Sequence, residues 1–405
     1  MTHDFIAARP FLEGDVLHFP VSYMRGGTSS GIIIWGPHLA PLKGVEDELI
    51  RKIMGVPDEG ELQGNMQITG LGRGSATSNK VFIIDREDGN RADFNSTFAQ
   101  MAADKSAIDW SVNCGNMSAA IPMFLLDNGL VTPGNPETHI RVFNVNTGVV
   151  TDCRVRTPNG QASIPADTAI PGVYGQFPGV ELSLRDPTGA KTGRILPTGH
   201  VRETIDGVDV SCVDVAVPMV IIRADAIGMR GDESVDRLKA DAPLKERLRS
   251  IWVQAGQAMQ LKSKGVTMTA VELATSETIP KVCLISKPTR GGNISVRYFT
   301  PQEAHASLAV TGGCCLATAC LIPGTTAHEV AEGLEPLTAK ESGHIVAMEN
   351  PAGVLRARVF GRTLAEGTYA FPEVAYERNA QLYMCGYFKI YRPSTPMLEL
   401  LARFA

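Results

Sequence analysis

The chain has 405 residues, of which 44% are hydrophobic, 20% charged and 6% aromatic, and its formal net charge is −5. This is the composition of a globular protein with apolar material for two cores, and it excludes a disordered, collagen-like or coiled-coil chain. Lys and Arg form no long run, so no nucleic-acid or membrane partner is expected, and an anionic ligand has to be held by local donors.

The first ten residues carry neither a basic start nor a long apolar run, so no secretory leader is expected and the protein reads as cytoplasmic. Strand-like residues 21–24 lead into Met24-Arg25-Gly26-Gly27-Thr28-Ser29-Ser30-Gly31. Paired glycines let backbone N–H groups approach a ligand, and Arg25, Thr28 and Ser29 suit a carboxylate or phosphate; the plain alternative is a glycine-rich hairpin turn. Gly31 is followed by Ile32 rather than Lys, so this is no Walker A loop. Gly27 to Gly31 also fits G-x-S-x-G, but residues 32–35 form a strand pattern where a nucleophile elbow needs a helix. A serine hydrolase using Ser29 is therefore only an alternative.

Gly70-Leu71-Gly72-Arg73-Gly74-Ser75 lacks the last glycine of a dinucleotide fingerprint and leads into a strand over 81–84, so nicotinamide binding is rejected. Lys80 stands at the edge of that apolar strand, where desolvation disfavours the charged amine. Cys114, in Asn113-Cys114-Gly115-Asn116, begins a nearly uncharged helix over 116–130. The free N–H groups and dipole of a helix start favour thiolate, so this thiol is a candidate proton carrier. The other seven cysteines show no C-x-x-C spacing and read as reduced, buried thiols without zinc.

Further strands are expected over 139–144, 208–213, 219–222, 281–285 and 294–299, with a surface helix over 236–249 interrupted at Pro243. Arg297, His305 and Ser307 precede a second uncharged helix over 311–321 and form a candidate anion pocket at its N-terminus. Glycines and prolines within 306–327 make that segment a poor membrane span. The tail over 382–391 is strand-like. Lys80-Val81-Phe82-Ile83-Ile84 resembles Lys281-Val282-Cys283-Leu284-Ile285, and each is followed about 30 residues later by a buried helix, which suggests a duplicated fold.

In their order along the chain, these motifs resemble the PrpF family of 2-methylaconitate and related tricarboxylate isomerases. Its strongest pieces are residues 24–31, Thr77 to Val81 with Ser78, Cys114-Gly115-Asn116, residues 141–147, 196–199, and His305 through Thr311-Gly312. The resemblance implies an α+β chain of two pseudo-symmetric diaminopimelate epimerase-like domains, each a barrel-like sheet around a central helix. It puts the active site in the interdomain cleft. The expected domains are residues 1–200 with 373–405, and 201–372.

Aligning Cys114 to Met117 with Ala309 to Gly312 puts Ala309 where racemases of this fold carry a second thiol. The resemblance thus implies allylic proton transfer rather than stereoinversion, with Lys80 and Cys114 as the acid/base pair. It implies that the substrate carboxylates are held by Arg25, Thr28, Ser29, Ser30, Ser78, Gly115, Asn116, Arg297, His305, Ser307, Thr311 and Gly312. Neither metal nor organic cofactor is expected. The expected partner is a small unsaturated polycarboxylate such as 2-methylaconitate, aconitate or 4-oxalomesaconate; a non-catalytic carboxylate-binding protein is the other alternative, and the sequence leaves room for a homo-oligomer. Three departures bear on the substrate: Ser30 stands where the family usually has Lys, residues 301–303 replace a Met-Gly pair, and Glu349 to Gly353 replaces a G-H-P-S-G-like turn.

Overall fold

The structure, a computed structural model, describes residues 5–403 apart from Ser111, Ser163, Lys264 and Glu277. The chain is mixed α+β and divides into two compact units. One comprises Met1–Ala169, Gly175–Leu182 and Arg378–Ala405, the other Ile170–Tyr174 and Ser183–Glu377.

In the first unit, strands β1 (Val16–Gly26) and β2 (Ser29–Trp35) form a hairpin whose tip is Gly27 and Thr28. β2 runs parallel to β3 (Lys80–Arg86), which is antiparallel to β4 (Phe94–Met101). β4 is parallel to β5 (Glu137–Asn144), which is antiparallel to β6 (Val149–Arg156). Both faces of this sheet are covered, which is why β2 reads as an unbroken apolar run. Ile32 and Ile34 join an outer core with helix α1 (Glu46–Met54). Ile33 and Trp35 join an inner core around α2 (Gly115–Ser118) and α3 (Ala120–Asp127), which supply Met117, Ile121, Phe124 and Leu125.

The second unit repeats this order. The hairpin is β7 (Val208–Val215) and β8 (Val217–Arg223); β8 is parallel to β9 (Lys281–Ser286), itself antiparallel to β10 (Ile294–Thr300). β10 is parallel to β11 (Ser342–Asn350), which is antiparallel to β12 (Gly353–Thr363). Helix α4 (Ala242–Ala258) packs in the outer core and α5 (Val310–Cys320) in the inner one. Strand β13 (Tyr369–Tyr391) pairs first with β12 and then, from Ala380, with β1, and is followed by α6 (Thr395–Ala402).

The registers carry the repeat down to single residues. Gly31 lies opposite Lys80 in the parallel pair of the first unit, and Met219 lies opposite Lys281 in that of the second. Lys80 and Lys281 are thus equivalent strand starts. The inner helices begin after Cys114 and Ala309, both extended N-cap residues, so the alignment of these two positions holds in three dimensions.

Several expectations are corrected. The helix over 116–130 starts at Gly115, breaks at Ala119 and ends at Asp127. The surface helix over 236–249 is two helices, Val235–Ala240 and α4, with Pro243 in the first turn of α4, where its missing N–H costs nothing. It is no mere surface feature, since Leu244, Leu248, Ile251 and Trp252 are buried in the outer core. Strands β4, β6, β11 and β12 were not expected; their Asn, Arg, Glu and Gly residues mask the alternation. Among the described residues, no helix is long and apolar enough to cross a membrane.

Candidate active site

Lys80 opens β3 and is buried, on the same face of the strand as Phe82 and Ile84, which belong to the inner core. Its amine donates to Gln100 Oε1 and lies 5.4 Å from the centroid of the Phe98 ring. Ser29 shares that inner face with Ile33 and Trp35. It is buried, and its Oγ lies 3.8 Å from Cys114 Sγ. Cys114 is partly exposed and caps α2, where the Met117 amide donates to its sulfur over 3.5 Å. The N–H groups of Gly115 and Asn116 begin the helix and have no acceptor within it. Ser29 and Cys114 thus meet at this helix start, and Lys80 stands on the same inner face of the sheet, opposite Gly31 in the register.

The hairpin tip is pressed onto this helix start. A Cβ at Gly26 would lie 2.5 Å from the Asn116 carbonyl oxygen and 2.8 Å from that of Met117. Gly26 is thus required for backbone packing, in addition to any approach of a ligand. Asn116 accepts from Arg378 Nε over 2.8 Å, which ties the first turn of α2 to β13. Ser78 is buried and donates to the Ser75 carbonyl over 3.0 Å, shaping the turn that delivers Lys80. Thr28 is exposed at the tip.

Arg25 is placed differently. Strand alternation sends it and Ser30 to the face opposite Met24 and Ser29. Arg25 Nη1 donates to the Gly27 carbonyl and to Asn379 Oδ1, each over 2.7 Å, and its guanidinium lies 4.5 Å from the Phe177 centroid. Burial pulls its pKa below the ordinary arginine value. The structure thus uses Arg25 to brace the hairpin and does not bring it to Cys114.

In the second unit, His305, Ser307, Thr311 and Gly312 gather at the start of α5. His305 Nδ1 accepts from the Ser307 amide over 2.9 Å, and burial lowers the pKa of the ring. Ser307 Oγ donates to Asn350 Oδ1 over 3.2 Å, while Asn350 Nδ2 is buried without a partner. Gly312 is small because of Tyr298: a Cβ there would collide with the phenol ring. Arg297 is not part of this group. It alternates with Val296 and Tyr298, which face the inner core, and its Nε donates to the Glu233 carbonyl over 2.7 Å. Burial lowers its pKa also.

Burial isolates most of the other thiols. It raises the pKa of Cys153, Cys212, Cys283, Cys315 and Cys320, that of Cys212 to about 12. No three His, Cys, Asp or Glu side chains among the described residues converge as a metal ion requires. Gln100 belongs to no motif that the sequence displays, and Asn350 lies in the Glu349 to Gly353 turn noted only as a departure; strand register sets Gln100 opposite Lys80, and Asn350 meets Ser307.

The profile described as PrpF protein matches residues 16–387. A 4-oxalomesaconate tautomerase from Pseudomonas putida is 35% identical over 334 residues, covering 82% of this chain and 87% of the relative. A 3-methylitaconate isomerase from Eubacterium barkeri is 30% identical over 361 residues, covering 84% and 90%. The crystal structure of a methylitaconate-delta-isomerase superposes with a TM-score of 0.80 at 28% identity, covering 95% of this chain and 98% of that one.

Proposed function

The chain belongs to the PrpF family and is an isomerase of small unsaturated carboxylates; within that class we propose that it shifts the double bond of a 4-oxalomesaconate-type polycarboxylate by proton transfer between Cys114 and Lys80. The observation that carries this reading is the asymmetry of the repeat. Both units have a strand-opening Lys, but only the first has a thiol at its helix N-cap, where the second has Ala309. One thiol and one amine suit delivery of a proton to a different carbon from the one that lost it, whereas stereoinversion calls for a matched pair.

In the proposed reaction, the Cys114 thiolate removes a proton from the carbon allylic to the unsaturated carboxylate. The C–H electron pair moves into the conjugated system and gives a dienolate, and the Lys80 ammonium protonates the far end. Each turnover returns Cys114 and Lys80 to their starting states by passing the proton back through solvent. The Gly115 and Asn116 amides stabilise the carboxylate charge that grows in the dienolate. The Met117 amide, which donates to the sulfur over 3.5 Å, holds the base at the start of the helix.

Proton NMR in D₂O with 4-oxalomesaconate, 2-methylaconitate, 3-methylitaconate and cis-aconitate tests this. The expected result is a shift of the alkene resonances of 4-oxalomesaconate with deuterium entering the product. Turnover of another of these acids would move the substrate assignment; no turnover of any would reject the proposal.

A further inference from the structure

We infer that Gln100 is a positioning residue for the reaction, holding the Lys80 amine in the orientation from which it transfers its proton. The inference rests on the reading of Lys80 given above. Gln100 lies directly opposite Lys80 in the β3–β4 pair, and its own amide is oriented from below. Gln100 Nε2 donates to the Asn79 carbonyl over 3.1 Å and to the Met101 carbonyl over 3.0 Å. With both N–H bonds so engaged, its oxygen has to face Lys80. The flipped amide would set an oxygen against two carbonyls and an NH₂ group against an amine.

The consequence for Lys80 is directional. An amide oxygen accepts and cannot donate, so one N–H of Lys80 is always spent on Gln100. The remaining protons, or the lone pair of the neutral amine, are turned elsewhere. The amine also lies 5.4 Å from the centroid of the Phe98 ring, so Gln100 and Phe98 both border it. Gln100 thus fixes the direction from which Lys80, the acid in the reading above, delivers its proton.

The second unit supplies an internal comparison. Its register pairs Val282 with Phe299, so one step further Lys281 faces Thr300. The Thr300 hydroxyl donates to the Glu303 carbonyl over 3.4 Å, and the helix there is capped by Ala309 rather than a thiol. The duplicated strand keeps its Lys without a Gln opposite. Gln100 therefore accompanies the thiol and is not a requirement of the strand pair.

The test uses the full chain carrying Gln100→Leu or Gln100→Glu, with whichever of the four acids the wild type turns over. Leu removes the acceptor at similar size; Glu keeps an acceptor. Gln100→Leu is expected to lower kcat about 100-fold, the scale of an ångström's misplacement, with KM within about 3-fold, and to move one limb of the kcat/KM pH profile to lower pH. Gln100→Glu is expected to retain most of kcat and move that limb to higher pH. Should Gln100→Leu fail to fold, the opposite displacement in Gln100→Glu decides. Wild-type kcat and an unmoved profile in a folded Gln100→Leu protein, or an unmoved limb in Gln100→Glu, would overturn the inference while leaving the isomerase reading intact. A wild type inert toward all four acids would instead reject the isomerase reading, and this inference with it.

Discussion

Substituting Gly26 by Ala perturbs the contact that joins the β1–β2 hairpin to the start of α2. The new methyl would lie 2.5 Å from the Asn116 oxygen, 2.8 Å from the Met117 oxygen and 2.9 Å from Met117 Cα. All three are backbone atoms that no rotamer change can move away. Ordinary contact needs roughly 0.9 Å more at the closest of them, so either hairpin or helix must shift. Overpacking of this kind costs about 1–3 kcal/mol, which for a unit of this size lowers Tm by about 2–12 °C. The same shift separates Ser29 from Cys114, so kcat is expected to fall by about 10- to 100-fold. Gly386→Ala is the control, because no heavy atom lies within 4 Å of the point its methyl would occupy and its φ is not left-handed. Thermal unfolding and the alkene-shift assay on both variants read the effect. A Gly26→Ala protein with wild-type Tm and kcat would refute the account of the hairpin.

His38 is fully buried beside Phe5, and burial lowers its pKa from 6.5 to about 4. Between these values the unfolded chain binds a proton that the folded one refuses, so stability falls as pH drops from 6.5 towards 4. The loss is on the order of 3 kcal/mol, and urea midpoints of the His38→Phe variant should lack that part of the acid dependence. Ala309 caps α5 in extended conformation without a side-chain hydrogen bond. Ala309→Ser should supply the missing acceptor and stabilise the second unit by about 1 kcal/mol, measured as a rise in the urea midpoint; no rise would contradict the assigned cap.

The fold was legible where β-branched runs are buried on both faces, as in Ile32-Ile33-Ile34 or Val282 to Ile285, and where uncharged helices follow a polar turn. The duplication showed in Lys80-Val81 and Lys281-Val282 because each opens the equivalent parallel strand. What was not legible depends on register. Arg25 and Ser29 sit in one motif, yet the period of two sends them to opposite faces of the sheet. Arg297 lies near His305 in sequence and alternates away from it for the same reason. Gln100 becomes visible only once β4 is set against β3, since an isolated Gln in Phe94–Met101 carries no signal of its own.

The most direct test of the proposed roles is single-turnover deuterium incorporation from D₂O, followed by NMR for the wild type, Cys114→Ala and Lys80→Met with the acid that turns over. With Cys114 as base and Lys80 as acid, Lys80→Met still exchanges the allylic proton of the substrate but forms almost no product, whereas Cys114→Ala does neither. Exchange that survives in Cys114→Ala and vanishes in Lys80→Met would contradict those roles, making Lys80 the base.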